Sequence, residues 1–414
     1  MDRLEFLNKE LGTNYTSLDE VNWINVTRNI QLSEEFIREF SDKVNWLDIS
    51  CHQNLSENFI REFQNRVNWS YISYHQNLSE NFIREFQNRV NWSYISYRQK
   101  LSEEFIKEFK NRVNWTYISE CQKLSEEFIK KFKNYIDWAY ISTSQKLSED
   151  FIRKFKDKVD WVNISKNQKL SEDFIRKFKD KVDWDCISAY QKLSEDFIKK
   201  FKNYVDWHCI SLHQKLSEEF IRKFKNKVDW GCISAYQKLS EDFIRKFQDK
   251  VYWDYISKFQ NLSEDFIREF KDKVDWNEIS ECQKLSKKFR NEFNLKISKN
   301  NWLYKTTKFK KRQIVKCGLY ECHEDYFIAY KAIRNDRYSH YNFQYQYLPN
   351  ETYEAHCDCT NDKDSFGLSV WTEKGAKNYD NTGLIVKVKV RYEDAGRLVH
   401  KSNKIRCSKI EVLD

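Results

Sequence analysis

Proline occurs once in the 414 residues and glycine seven times. With so few chain breakers, the turns through most of the chain must be built from polar residues. No run of 18 apolar residues exists, so no helical membrane span is expected. The opening stretch MDRLEFLNKELG lacks a long apolar segment, so no secretory signal is expected. A shortage of apolar residues would have implied disorder, but hydrophobic residues make up 40% and aromatic residues 16%, evenly spaced. Alanine is scarce while Lys, Asn, Ile, Tyr and Phe are abundant, the bias of an AT-rich genome. The net charge of +9 is mild for this length and does not by itself call for a polyanionic partner. No strong catalytic motif is present.

What the chain has is a repeat. Trp recurs at 23, 46, 69, 92, 115, 138, 161, 184, 207, 230, 253 and 276, always 23 apart. From Leu32 to Lys284 there are eleven complete units of 23 residues, reading L-S-E-x-F-I-x-x-F-x-x-x-V-[ND]-W-x-x-I-S-x-x-Q-x. A fixed period of this length marks a solenoid, whose usual domain count does not follow from chain length. Gly231 is the only glycine within the units, which contain no proline.

The copy beginning at Leu170 shows why the unit is helical. Ser171 precedes two acids and an apolar run, an N-cap followed by charges that suit the helix dipole. Phe174, Ile175, Phe178 and Val182 form one helical stripe. Glu172 with Arg176, and Asp173 with Lys177, are acid-before-base pairs four apart. These signals predict a first helix over 171–182, about three turns. An Asp or Asn precedes Trp in ten of eleven units, Tyr252 being the exception, and caps a second helix of about two turns carrying Trp184, Ile187 and Gln191. The Trp column reads as core. One unit has too few apolar side chains to fold alone, so the array folds as a whole. A leucine-rich-repeat-like α/β solenoid shares the period, but its L-x-x-L-x-L is missing: Ser70, Asp185, His208 and Gly231 follow Trp. The expected fold is mostly α, an αα-repeat solenoid followed by a small α+β domain.

Residues 1–31 read as an N-terminal cap, 32–284 as the solenoid, 285–303 as a C-terminal capping helix and 304–316 as a basic linker. That linker, YKTTKFKKRQIVK, also allows a nuclear address. From 317 to 414 the period is lost and five glycines appear. Strands are predicted at Phe327–Arg334, Tyr338–Leu348, Leu368–Thr372, Leu384–Tyr392 and Ile405–Leu413, with a short helix at Glu373–Tyr379.

Eleven cysteines are present. Those in the array, such as Cys51, Cys186, Cys209 and Cys232, occupy columns where Tyr, His or Ser stand elsewhere. A disulfide framework would not be so interchangeable, so free thiols and an intracellular setting are expected.

The unit resembles the repeat proteins of amoeba-infecting giant viruses of the mimivirus type, over roughly residues 20–300. That resemblance implies a viral origin, a repeat architecture, and a place in host cytoplasm or virion, with the nucleus also open. The tail, with YKAIR, FGLSVWT, KVKV and IRCSKIEVL, resembles an uncharacterised C-terminal domain of viral and phage proteins. It is also similar in layout to ADP-ribosyltransferases, which implies Arg334, Ser369 and Glu411 as catalytic candidates. The E-x-E or Q-x-E pair of that family is absent, because Glu411 follows Lys409 and Ile410.

Three functional readings follow. The first is a non-enzymatic interaction scaffold without cofactor, monomeric and off the membrane, whose variable columns bind a host or viral protein. Tyr71, Tyr94, Tyr117 and Tyr140 are the candidate surface, with half-buried packing as the alternative role. The second is a C-terminal modifying enzyme targeted by the solenoid. The third, less favoured, is nucleic-acid binding through Lys154, Lys177, Lys200 and Lys223, where earlier copies carry Glu62, Glu85 and Glu108. A solvated face balanced by first-turn acids explains the same lysines. No metal site is expected. The weak alternative is Cys317, Cys322, Cys357 and Cys359, whose C-x4-C and C-x-C spacings are not the usual zinc pair.

Overall fold

The computed structural model describes residues 2–296, 301–339, 345–355, 357, 368–380, 383–399 and 403–413, apart from the side chain of residue 303. It falls into two units, Met1–Leu170 and Ser171–Asp414. Helix pairs recur with the period of the sequence repeat, and an antiparallel sheet domain follows them. No strand lies within the array, so the α/β alternative is set aside. Among the described residues no helix is long and apolar enough to cross a membrane.

In the first unit, a helix at Arg3–Leu11 begins with a capping box of Asp2 and Glu5 and ends at Gly12, whose φ of 62° is the left-handed cap that glycine adopts without strain. Leu7 is fully buried, and Phe6 packs against Phe36 and Phe40 at 6.1 and 6.3 Å. The cap thus supplies its own helix where the first helix of a copy is missing.

The copy Leu101–Lys123 shows the repeat geometry. Ser102 caps Glu103–Glu108 by accepting from the Phe105 amide. Asn114 caps Trp115–Cys121 by accepting from the amides of Thr116 and Tyr117. The first helix is shorter than the spacing predicts: it is six residues, and its equivalent in the Leu170 copy spans Glu172–Lys177 rather than 171–182. Two bonds explain this. The Trp115 indole N–H donates to the carbonyl of Lys110 at 2.8 Å, a carbonyl that a continued helix would offer to the amide of residue 114. That amide instead donates to Ser96 Oγ of the previous copy at 2.9 Å. Val113 still turns inward, because its amide reaches the Phe109 carbonyl at 3.1 Å.

Phe105, Ile106 and Ile118 are fully buried and Phe109 and Val113 nearly so. The Trp column is half-buried rather than core. Trp115 bridges copies, lying 6.3 Å from Phe128 and 5.2 Å from Phe132 of the next one.

The second unit carries the same helix pairs to Trp276–Cys282, then a helix at Lys287–Glu292. Residues 297–300 of the expected capping helix lie outside the described residues. The array is closed by Tyr304. Its hydroxyl accepts from the Leu285 amide at 3.2 Å and donates to the Gln283 carbonyl at 2.6 Å, two of the three bonds that the Gln side chain of a further copy would make.

The stretch read as a linker is largely a helix, Thr307–Cys317, capped by Thr306 and by Gly318 at φ 67°. Its Ile314 is fully buried in the core of the sheet domain.

The strands are β1 (Glu321–Cys322), β2 (Tyr326–Ile333), β3 (Thr352–Glu354), β4 (Leu368–Trp371), β5 (Leu384–Arg391), β6 (Ala395–Val399), β7 (Lys404–Cys407) and β8 (Lys409–Val412). All pairings are antiparallel, in the order β3-β8-β5-β2-β4-β7-β6 with β1 on β2. The single strand expected at Ile405–Leu413 is two strands separated by Ser408. Because β7 runs straight into β8 although the ladder sets three strands between them, the sheet must curl until the chain itself closes it. The corner is satisfied: the Ser408 amide donates to Asp394 and its carbonyl accepts from Ala355, both at 2.9 Å. Phe327, Ala329, Val370, Val386, Val388, Ile405 and Ile410 fill the interior. The helix Glu373–Tyr379 forms as expected and buries Ala376 against Ala332 and Trp371 on the opposite face. Of the predicted strand Tyr338–Leu348, the described part shows one bridge, Tyr338 to Gln346; residues 340–344 lie outside the described set.

Candidate functional site

Once caps and core are assigned, the side chains left over lie on the second helices. Tyr71 and Tyr94 are 37% and 39% exposed and Tyr140 is 36% exposed, whereas Tyr117 is half-buried. Residues five places after each Trp interleave with them: Tyr74 meets Tyr94 edge-on at 5.1 Å, and Tyr97 meets Tyr117 at 5.2 Å. The Arg98 guanidinium lies 4.9 Å from the Tyr74 ring. The result is an exposed Tyr and Arg patch of the composition that protein interfaces favour. Tyr74, Tyr97 and Arg98 were not singled out from the sequence. The signal was there, since Tyr71 with Tyr74 and Tyr94 with Tyr97 are three apart on a helix and so share a face.

The lysine column ends the first helices and is exposed. Where a copy carries Glu at this place, an Arg of the preceding copy pairs with it: Arg61 with Glu85 at 2.8 Å, Arg245 with Glu269 at 2.8 Å. Lys154, Lys177, Lys200 and Lys223 make no ion pair among the described residues, and Arg176 turns to Asp173 in its own helix at 2.6 Å. The middle copies therefore lack the inter-copy neutralisation of the outer ones.

In the sheet domain, the residues of the transferase-like layout do not converge. Arg334 follows β2, pairs with Asp336 at 3.2 Å and donates to the Tyr190 carbonyl at 3.0 Å. Glu411 pairs with Lys389 at 3.1 Å, and Lys389 lies opposite Ile328. Arg334 is six residues further along that strand, roughly 20 Å away at ~3.3 Å per residue. Ser369 sits on β4 opposite Arg406. Of the cysteine set, Cys317 donates to the Ile314 carbonyl at 2.9 Å, Cys322 is half-buried, Cys357 is buried and Cys359 lies outside the described residues. No disulfide joins the described cysteines. Burial lifts the thiols of Cys209 and Cys232 to about 12, so neither is an activated nucleophile.

The second unit also holds a cavity of about 1440 Å³ between copies Leu193–Lys284 and the sheet domain. Leu212, His213, Ala235, Tyr236, Phe259 and Cys282 line it from the array; Lys331, Trp371 and Lys404 line it from the sheet. These six are the fifth or sixth after a Trp, the same two columns that carry Tyr74, Tyr97 and Arg98 in the first unit; turn residues that follow them, such as Lys238 and Lys284, line the cavity as well. The sheet domain touches the copy before them too, where Lys192 stands 4.6 Å from the Tyr338 ring and bonds its hydroxyl. Lys331, on the interior face of β2, is buried; it donates to the Ser369 carbonyl at 3.0 Å, and burial pushes its ammonium down to about 8.

One cluster has no counterpart in the sequence reading: His208, Asp229 and Cys232 come together across two copies. Their spacings of 21 and 24 straddle the period, as do contacts between neighbouring copies within each unit, such as Leu101 with Gln122 and Arg61 with Glu85.

No family model matches the chain, and neither a curated protein nor a solved structure does.

Proposed function

We propose that the protein is a non-enzymatic scaffold whose second-helix face binds a protein partner. The observation that carries this is the shared use of two columns. In the second unit they face and line a cavity against a folded domain of the same chain. In the first unit the same columns present Tyr97 and Arg98 to solvent, with Tyr74 half-buried beside them. The caps, the core and the inter-copy hydrogen bonds do not require aromatic residues there: other copies carry Glu120, Thr143 or Lys166 in the Tyr74 column and fold alike. The resemblance to giant-virus repeat proteins makes a host or viral protein the expected partner.

The test uses residues that other copies already carry, so that folding is preserved. A chain with Tyr74→Ala, Tyr94→Asn and Tyr97→Thr is compared with wild type in affinity capture from nuclease-treated amoebal lysate. The captured protein is then measured against both chains as a purified pair. Interface tyrosines of this kind are worth at least ~1.4 kcal/mol together, so binding is expected to weaken at least tenfold. Equal binding by both chains refutes the reading.

A further inference from the structure

We infer that His208, Asp229 and Cys232 form a binding site for a divalent transition metal of the zinc class. His208 is the second residue of the helix Trp207–His213. Asp229 caps the corresponding helix of the next copy, Trp230–Tyr236, and Cys232 is its third residue. The three donor atoms lie within 4.8 Å of one another. His208 Nδ1 is 3.0 Å from Asp229 Oδ2 and 3.6 Å from Cys232 Sγ. Tetrahedral zinc, with bonds of about 2.0–2.1 Å to nitrogen and oxygen and about 2.3 Å to sulfur, separates N from O by about 3.3 Å and N from S by about 3.6 Å. The sulfur already stands at that distance, and a small spreading of the His–Asp contact admits the ion.

The local structure holds the donors in place. Asp229 Oδ1 accepts from the Cys232 amide at 2.9 Å, so the cap fixes the carboxylate with its other oxygen toward the imidazole. Gly231 follows His208 in the same column one copy later. A Cβ there would stand 3.2 Å from Asp229 Oδ1, and glycine keeps that approach clear. The preceding copy repeats the Asp–Cys arrangement, with the Cys209 amide donating to Asp206 Oδ1 at 2.6 Å. Its partner in the His208 column is Asp185, so the imidazole is supplied at one junction of the array and not at that one. The His208 and Asp229 side chains are 60% and 39% exposed, which lets an ion enter and leaves a fourth position to water. Nitrogen and sulfur donors favour zinc or cobalt over magnesium or calcium, which take oxygen.

The test is titration of the full-length chain, under reducing conditions, with cobalt chloride and by dialysis against zinc chloride. Three variants are compared with wild type. His208→Ser places a residue that the column carries at Ser70 and Ser93. Asp229→Asn keeps a cap that other copies use, and Cys232→Ser removes the sulfur. Wild type is expected to hold one equivalent of zinc more than each variant, or to bind that equivalent at least tenfold more tightly. A cobalt–thiolate charge-transfer band should be present in wild type and lost in Cys232→Ser. Metal bound at the cysteines of the sheet domain would be common to all four chains and cancels. Equal zinc content in all four, or a cobalt spectrum unchanged by Cys232→Ser, overturns the site and leaves a simple His–Asp hydrogen bond.

Discussion

Gln76 donates its side-chain amide to the main-chain carbonyl of Gln53, one copy back, at 2.7 Å. The same Gln76 accepts from the Leu55 amide at 3.0 Å and donates to the Ser50 carbonyl at 3.3 Å. A single buried amide therefore satisfies three main-chain groups, two carbonyls of the copy before it and the first amide of its own copy. The bonds recur at the same spacings along the array, as at Gln122 and Gln237. The Gln column is thus a row of staples, each serving one junction.

Gln122→Leu should accordingly cost on the order of 3 kcal/mol, since it leaves the Leu101 amide and the Ser96 and Gln99 carbonyls buried without their partner. Urea melts of variant and wild type measure this. A loss below about 0.5 kcal/mol, less than one ordinary hydrogen bond contributes, would show that the column is not a staple.

Tyr252 is the one residue before Trp in the eleven copies that makes no side-chain cap bond, although its backbone has the cap conformation and its amide still reaches Ser234 Oγ at 3.0 Å. Tyr252→Asp should stabilise the array by about 1 kcal/mol. Thermal melting should move upward, and a fall would contradict the capping account.

Lys331 gives the sheet domain a pH dependence of known sign. Burial lowers its ammonium from 10.5 to about 8. Below that value both folded and unfolded chains carry the proton, and the folded state bears the full penalty of a buried charge. Between about 8 and 10.5 the unfolded chain holds the proton and the folded one does not, so stability rises with pH across that window. The shift corresponds to on the order of 3 kcal/mol. Lys331→Met should remove this rise. Chemical denaturation at pH 7.5 and pH 10, compared between the two chains, reads the difference.

The basic column separates electrostatics from folding. Lys200→Glu places an acid one copy on from Arg176, in the arrangement that already exists between Arg245 and Glu269. Such exposed pairs are screened by solvent and contribute little, so stability should hardly move. Binding to mixed-sequence RNA or DNA, if the column tracks phosphates, should weaken and lose part of its salt dependence on combining Lys200→Glu with Lys223→Glu. A wild-type chain that shifts neither nucleic acid at low salt removes this reading.

The period, both caps and the buried Phe, Ile and Val columns were legible because each follows from local chemistry repeated eleven times. The end of the first helix was not, since it depends on the Trp indole taking a carbonyl and on a Ser one copy away. Tyr304 closing the array could not be seen either, because a hydroxyl there stands in for a side-chain amide whose partners lie a copy back. Thr306 and Gly318 did mark the ends of the helix read as a linker, but its basic residues masked two apolar anchors, Phe309 and Ile314, spaced five apart. In the sheet domain, strand existence was largely readable and strand partnership was not. The separation of Arg334 from Glu411 is a matter of which strand lies beside which. Likewise, the Tyr columns announced a surface, while the Tyr74–Tyr94 and His208–Cys232 contacts needed the one-copy offset between neighbours.

The staples have a genetic consequence. Each joins positions separated by 21, 23 or 26 residues, and each sits at the same place in every unit. Excising or duplicating one full period anywhere inside the array restores every such pairing across the new joint. Unequal recombination between copies can therefore change the length of this protein without creating a faulty junction, whereas a gain or loss of any other size would break one.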